Sequence, residues 1–268
     1  MAESRERWVP TPLLTGSVAL HGLAAASAAI QPRLWPWALG AVVANHVLLT
    51  AAGLWPRSSL LGPNLTRLPP DRSSGRVAIT IDDGPDPDVT PVVLDMLERY
   101  RASATFFCIG ERVAAYPAVA RAIVQRGHVI ENHSQRHLNR FSLLGPRGLS
   151  AEILEAQDTI SGITGQTPRL FRAPAGLRNP FLEPVLHRCG LRLVSWTRRG
   201  FDTVRRDPEI VLARLTCHLS AGDILLVHDG HAARAADGKP VVQAVLPRLL
   251  DALAAAGLAT VTLRGVLP

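Results

Sequence analysis

The sequence predicts an α/β fold, a closed or nearly closed (β/α) barrel of seven strands preceded by an N-terminal transmembrane helical hairpin. Three observations carry this reading. Between Trp8 and Pro56 the only charged residue is Arg33. From residue 76 onward, short β-rich apolar runs alternate with longer periodic stretches, the pattern of parallel strands joined by helical crossovers. The acids and histidines able to do chemistry gather just after the carboxyl ends of those runs. A doubly wound open sheet is the alternative arrangement of the same alternation.

The composition limits the function classes. In 268 residues, 47% hydrophobic and 19% charged content excludes intrinsic disorder. The net charge of +7 comes almost wholly from arginine, Lys239 being the single lysine. Aromatics are only 5% and form no stripe between basic residues, so no nucleic-acid surface is expected. Cys108, Cys189 and Cys217 make no C-x-x-C pair and no disulfide framework; they are expected as buried, reduced thiols.

Two apolar runs, 13–30 and 37–55, flank Arg33. At about 1.5 Å rise per residue each spans close to the ~30 Å hydrocarbon thickness. The connector between them carries Pro32, Pro36 and Trp35, and Trp37 opens the second run; prolines break helices and tryptophans favour the membrane interface. His21, Asn45 and His46 count against burial in lipid; a pair of buried soluble helices, or a signal peptide in the first run, are the alternatives. Arginines concentrate on the outer flanks (Arg5, Arg7, Arg57, Arg67, Arg72, Arg76). That bias predicts both ends, and the catalytic domain, on the cytoplasmic side. Residues 57–75, rich in Pro, Ser, Gly and Arg, read as a linker.

The soluble domain is expected over 76–268. Its strands are predicted at 77–82, 104–109, 128–132, 169–173, 192–196, 223–227 and 259–263. Helices are predicted at 90–101, 117–125, 150–163, 180–188, 208–219 and 241–255. Gly127, Gly190, Gly222 and Gly257 punctuate the helix ends, where a left-handed cap suits glycine.

In parallel β/α folds the active site lies at the carboxyl ends of the strands. Here those ends carry Asp82 and Asp83, His133 and His137, Arg172, Asp202, and His228 with Asp229. His133 and His137 are four apart, so one helical turn would put both imidazoles on one face. With one carboxylate they would make a two-His, one-carboxylate metal site. Adjacent strand residues point in opposite directions, so one of Asp82 and Asp83 could bind metal while the other serves as a base. A tight turn alone would also favour Asp82-Asp83-Gly84-Pro85, but not two carboxylates directly after an apolar strand.

These segments resemble the motifs of the polysaccharide deacetylases, carbohydrate esterase family 4, also called the NodB homology domain. Thr80-Ile81-Asp82-Asp83-Gly84-Pro85 is similar to the first motif, and His133-Ser134-Gln135-Arg136-His137 to the second, H-[ST]-x-x-H. Arg172-Ala173-Pro174-Ala175-Gly176 resembles the third, R-x-P-x-G, and Leu226-Val227-His228-Asp229 the fifth. The resemblance covers about 76–268 and implies a distorted seven-stranded (β/α) barrel. It further implies that Asp83, His133 and His137 hold a divalent metal, commonly zinc, with cobalt or another divalent ion as an alternative. Asp82 would be the general base, oriented by Arg172, and His228 the general acid, kept charged by Asp202. The Ala175 backbone N–H would face the oxyanion, and Leu226 would line the acyl pocket. Two departures stand out. Thr203 follows Asp202 where many members have Trp, and Ala175 stands where an aromatic residue is common. Trp196 lies nearby and is expected to substitute as a pocket wall.

The function expected is a membrane-anchored, metal-dependent hydrolase removing an N-acyl group, acetyl first, from an amino sugar of a glycan or glycolipid. Two alternatives stand beside it. One is a deformylase or deacylase of a lipid-linked sugar. The other is a catalytically silent carbohydrate-binding or scaffold protein on the same fold.

Overall fold

The structure, a computed structural model, describes residues 7–267; Arg5 of the N-terminal flank lies outside them. Two long apolar helices open it, α1 (Pro12–Ile30) and α2 (Trp35–Leu54). Thr11 caps α1 by accepting a hydrogen bond from the Leu14 N–H, and prolines stand in the first turn of both helices, where the missing N–H costs nothing. The two helices pack on each other as a hairpin. The protein covers 0% of the apolar stretch of the first and 11% of the second. A core helix of a soluble protein would be mostly covered, so both are candidate membrane spans by length, composition and exposure.

The polar residues of the hairpin pair across its interface. Asn45 Nδ2 donates to Ser17 Oγ at 2.8 Å, and His21 Nε2 lies 3.3 Å from His46 Nε2. His21 Nδ1 is also 2.7 Å from the Ser17 carbonyl. Polar groups in an apolar medium are tolerated when they satisfy one another between helices, which removes the objection these side chains raised.

The rest of the chain is a curled parallel sheet wrapped by helices. Its elements run β1 (Arg76–Asp82), α3 (Thr90–Arg99), β2 (Ala104–Cys108), α4 (Gly110–Ala115), α5 (Pro117–Gln125), β3 (Val129–Asn132), α6 (Pro146–Thr164), β4 (Leu170–Phe171) and α7 (Leu182–Cys189). They continue through β5 (Arg192–Leu193), β6 (Arg198–Arg199), α8 (Pro208–Thr216), β7 (Ile224–His228), α9 (Val241–Ala255) and β8 (Ala259–Thr260). The strand order is β5-β4-β3-β2-β1-β7-β6, with β8 paired to the start of β1. This is the distorted barrel expected, with β6 as an added short strand. No ladder joins β5 to β6 among the described residues; the barrel is split there.

Residues 57–75, expected as a linker, fill part of that split. Leu65 bridges Val194 in parallel fashion, and Arg67 bridges Asp223. Leu61 and Leu68 are buried, so this segment packs as part of the domain. The hairpin is tied to the domain at the same place. The Arg178 N–H donates to the Gly53 carbonyl at 3.1 Å, and Ser195 Oγ donates to the Pro56 carbonyl at 2.5 Å.

The core explains the strand assignments. Every residue of β1 after Arg76 is buried, as are all of β2 and β7, the continuous apolar signature of parallel strands covered on both faces. Val93 and Leu97 of α3 and Val245, Leu249 and Leu253 of α9 pack against them. Each such side chain contributes about 1.5–3 kcal/mol on burial. Gly190 (φ 71°) ends α7 in the left-handed conformation, as expected of a glycine cap. The thiol expectation holds for Cys108, which is buried, and fails for Cys217, which is exposed at the end of α8.

Candidate active site

Strand register assembles the site. Asp82 of β1 pairs with His228 of β7 on one side and Phe107 of β2 on the other. Cys108 pairs with Asn132, and Asn132 with Phe171. His133 and Arg172 therefore leave their strands side by side. Their carboxyl ends open into one cavity of about 320 Å³.

Asp82 and Asp83 do not point apart. Asp83 has φ 73°, and this left-handed turn swings its carboxylate into the same cavity as Asp82. The strand alternation expected at this pair is thus overridden at its last residue. Neither do His133 and His137 share a helical turn. They stand on a loop in which Ser134 (φ 64°) and His137 (φ 50°) are left-handed. Asn132 Oδ1 accepts from the Ser134 N–H at 2.8 Å, and Ser134 Oγ accepts from the His137 N–H at 3.0 Å. Such local bonds compete with helix and shape the loop instead. The imidazoles still converge, with ring centroids 4.9 Å apart.

The converging atoms are Asp83 Oδ1 and the Nε2 atoms of His133 and His137, at 3.2 and 3.3 Å from it. Oδ1 is buried and accepts no aligned hydrogen bond. His133 Nδ1 donates to the Arg172 carbonyl at 2.8 Å, which fixes its tautomer and turns Nε2 toward the carboxylate. Burial pushes the Asp83 carboxyl up, but the neighbouring His133 and His231 imidazoles outweigh it and hold it well below the usual carboxylate range. Burial, aided by His133, lowers His137 to about 4, keeping it neutral as a ligand must be. One carboxylate oxygen and two imidazole nitrogens within 4.8 Å of one another fit a divalent cation.

Asp82 sits on the opposite side of this cluster. Its Oδ1 accepts from Arg172 Nη1 at 2.6 Å, and its Oδ2 lies 3.9 Å from His133 Nε2. Arg172 is fully buried and also donates to Thr80 Oγ1 at 2.9 Å and the Ser195 carbonyl at 2.8 Å. Its guanidinium carbon lies 4.1 Å from the centre of the Phe107 ring. A buried cation with this many fixed partners holds Asp82 in one orientation.

His228 faces the cavity from β7. Its Nδ1–H donates to Asp202 Oδ1 at 2.8 Å, and its backbone N–H donates to Asp202 Oδ2 at 2.7 Å. Burial alone would lower its pKa; the adjacent Asp202, with Asp82 and Asp83, outweighs burial and raises it to about 9. Asp229 turns away from the cavity, where Thr90 Oγ1 donates to its Oδ2 at 2.5 Å. Burial raises it to about 7.

Of the residues singled out in the sequence, Asp82, Asp83, His133, His137, Ala175, Trp196, Leu226 and His228 line the cavity. Arg172 and Asp202 lie behind it as supports. Ala175 is left-handed (φ 54°) on the loop after β4. Trp196 forms a wall against that loop: a Cβ added at Gly176 would lie 2.6 Å from its ring. Sequence reasoning missed Asn139, Arg199, Thr203 and His231 as lining residues. His231 lies three residues beyond His228, and its Nδ1 is 3.3 Å from Asp83 Oδ2. That short spacing after a strand end was the available signal.

Comparison with known proteins identifies the family. The polysaccharide deacetylase family model matches residues 70–194. The chain is 36% identical over 156 residues to a peptidoglycan-N-acetylglucosamine deacetylase of Bacillus cereus, covering 58% of this chain and 72% of that protein. It is 35% identical over 156 residues to a chitooligosaccharide deacetylase of a Bradyrhizobium species, covering 58% and 71%. Among solved structures, a family 4 carbohydrate esterase from Streptomyces lividans in complex with acetate superposes with a TM-score of 0.63 at 32% identity. That match covers 70% of this chain and 92% of the esterase. The chain belongs to the polysaccharide deacetylases of carbohydrate esterase family 4, hydrolases of amide C–N bonds.

Proposed function

We propose that this chain is a membrane-anchored, metal-dependent deacetylase that removes an N-acetyl group from an amino sugar of a glycan or glycolipid. The observation that carries the reading is the buried Asp83 Oδ1, without an aligned hydrogen bond and faced by two imidazole nitrogens. A structural carboxylate buried this deeply would have its oxygens paired. The relatives named as peptidoglycan and chitooligosaccharide deacetylases support an N-acetylglucosamine unit as the substrate.

In this reading Asp83, His133 and His137 hold the metal, zinc in the first instance. A divalent ion there would supply Lewis-acid polarisation of the amide carbonyl and of the attacking water. Asp82 takes the water's proton on Oδ2, while Arg172 keeps Oδ1 occupied. The backbone N–H of Ala175 stabilises the oxyanion. His228, protonated well above neutrality and held by Asp202, gives its proton to the departing amine. Leu226 and Trp196 wall the acyl group. With the acid, the base and the metal-binding set all present, a silent binding protein is the poorer account.

The hairpin serves as the anchor in this proposal, with the domain that follows it on the cytoplasmic face. The arginine bias of the flanks supports that side. The exposed Cys217 provides a test. A membrane-impermeant maleimide should label it only after lysis; labelling in intact cells would reverse the orientation. The reaction itself is tested by mass spectrometry of N-acetylglucosamine oligomers incubated with zinc-loaded full-length protein. Loss of acetyl groups is expected, and unchanged oligomers would contradict the reading for neutral glycans.

A further inference from the structure

A second groove of about 700 Å³ adjoins the reaction cavity and shares Trp196 and Arg199 with it. It runs to Trp55, the residue that caps the end of α2. Its walls carry four arginines. Arg198 is neutralised by Asp223 at 2.5 Å. Arg57, Arg199 and Arg214 have no carboxylate within ion-pair distance among the described residues.

These three cations are held by aromatic faces and backbone. The Arg199 guanidinium lies 5.2 Å from the centre of the Trp196 ring and 4.9 Å from that of Phe201; Arg214 lies 4.7 Å from Phe201 on the same ladder. Phe201 is left-handed (φ 60°), a conformation costly for a bulky residue and kept where surrounding structure imposes it. Arg57 donates to the Thr197 carbonyl at 3.3 Å. Stacking leaves guanidinium edges available for an oxyanion, and Arg199 Nε is buried without a partner.

The position of the groove narrows the ligand. Helix α2 is 20 residues long, which at about 1.5 Å per residue matches the ~30 Å apolar thickness of a bilayer. Trp55 is 60% exposed at its end, as expected of an interfacial aromatic. With α2 spanning a bilayer as proposed, the groove would start at phosphate depth and end at the reaction cavity.

We infer that this groove binds the phosphate or diphosphate that joins an amino sugar to a membrane lipid, with Arg57, Arg199 and Arg214 as its ligands and the sugar lying beyond Trp196. This deepens the deacetylase reading and rests on it. Bulk anionic headgroups share the charge but carry nothing to fill the adjoining cavity.

The test uses full-length protein in phosphatidylcholine nanodiscs. The probe is glucosamine linked through diphosphate to a polyprenol, which has no amide to hydrolyse. Arg57→Gln with Arg214→Gln should weaken its binding by about tenfold or more, the scale of one lost charge-assisted bond. Lysine at both positions should recover part of the loss. Binding within about twofold of wild type in the Gln variant would overturn the inference. So would equal displacement of the probe by phosphatidylglycerol, which would assign the groove to bulk lipid. Deacetylation of neutral N-acetylglucosamine oligomers separates the two levels. Its absence with arginine-dependent probe binding intact sinks the reaction on neutral glycans and leaves the groove standing. Its presence without arginine dependence sinks the groove alone.

Discussion

The hairpin and the catalytic mouth each hold a histidine pair. His21 and His46 bring their Nε2 atoms within 3.3 Å, and the rings of His133 and His137 lie 4.9 Å apart between centroids. The difference is what surrounds them. The hairpin pair has Ser17 and Asn45 beside it and, among the described residues, no carboxylate bonded to it. The catalytic pair converges on Asp83 Oδ1, with Asp82, Arg172 and His228 fixed around it. Two close imidazoles alone serve as interhelical polar packing; a buried carboxylate oxygen turned toward them makes a candidate metal site. Among the described residues, Asp83, His133 and His137 form the one such group of metal-ligating atoms.

The comparison breaks most sharply at the catalytic pair. His133→Ala and His137→Ala should each strip the metal and drop deacetylation to background while the circular dichroism of the fold is retained. A variant that kept both metal and turnover would end the ligand assignment. Next in size, Asp82→Asn and His228→Ala should keep metal but lose about 10²–10⁴ in rate, the range for a general base or acid. Metal content and kcat measured on the same preparations would separate these two classes.

A subtler change sharpens the role of Asp202. His228 protonates with a pKa of about 9, so its acid form is present at neutral pH and is lost as pH rises through that value. Asp202→Asn removes the main neighbour that raises it. The alkaline fall in rate should move to lower pH, toward the ordinary histidine range. An alkaline limb that stays in place would remove His228 from the acid role. Smallest of all, His21→Ala with His46→Ala should leave metal content and rate on soluble oligomers unchanged. Its cost to stability should be about 1 kcal/mol or less, the usual worth of a polar pair between helices in a membrane.

Much of this was legible in the sequence because long-range chemistry left local marks. The apolar run before Asp82, the amphipathic stretch at Val241–Ala255 and the glycine caps each report a period or a backbone need at their own position. The elements that were misread take their structure from elsewhere in the chain. Arg198-Arg199 falls between the predicted elements, yet forms a strand because β7 offers a free edge and Asp223 neutralises Arg198. Residues 57–75 show no helical or strand period, yet Leu65 and Leu68 join the cluster of Val194, Trp196 and Ile224, and Leu61 is buried as well. The helical turn expected for His133 and His137 failed for a local reason: Asn132 and Ser134 bond the backbone of the loop. Arg199 belongs to no motif, and only folding brings it to the mouth.

The account stands most directly on Asp83. Asp83→Asn preserves the shape of the side chain while removing the charged oxygen that the imidazoles face. Zinc per chain should be measured by inductively coupled plasma mass spectrometry after dialysis of zinc-loaded wild-type and variant protein. The prediction is one ion per wild-type chain and a small fraction of that in the variant. Equal occupancy in the two proteins would contradict the metal site and the reading built on it.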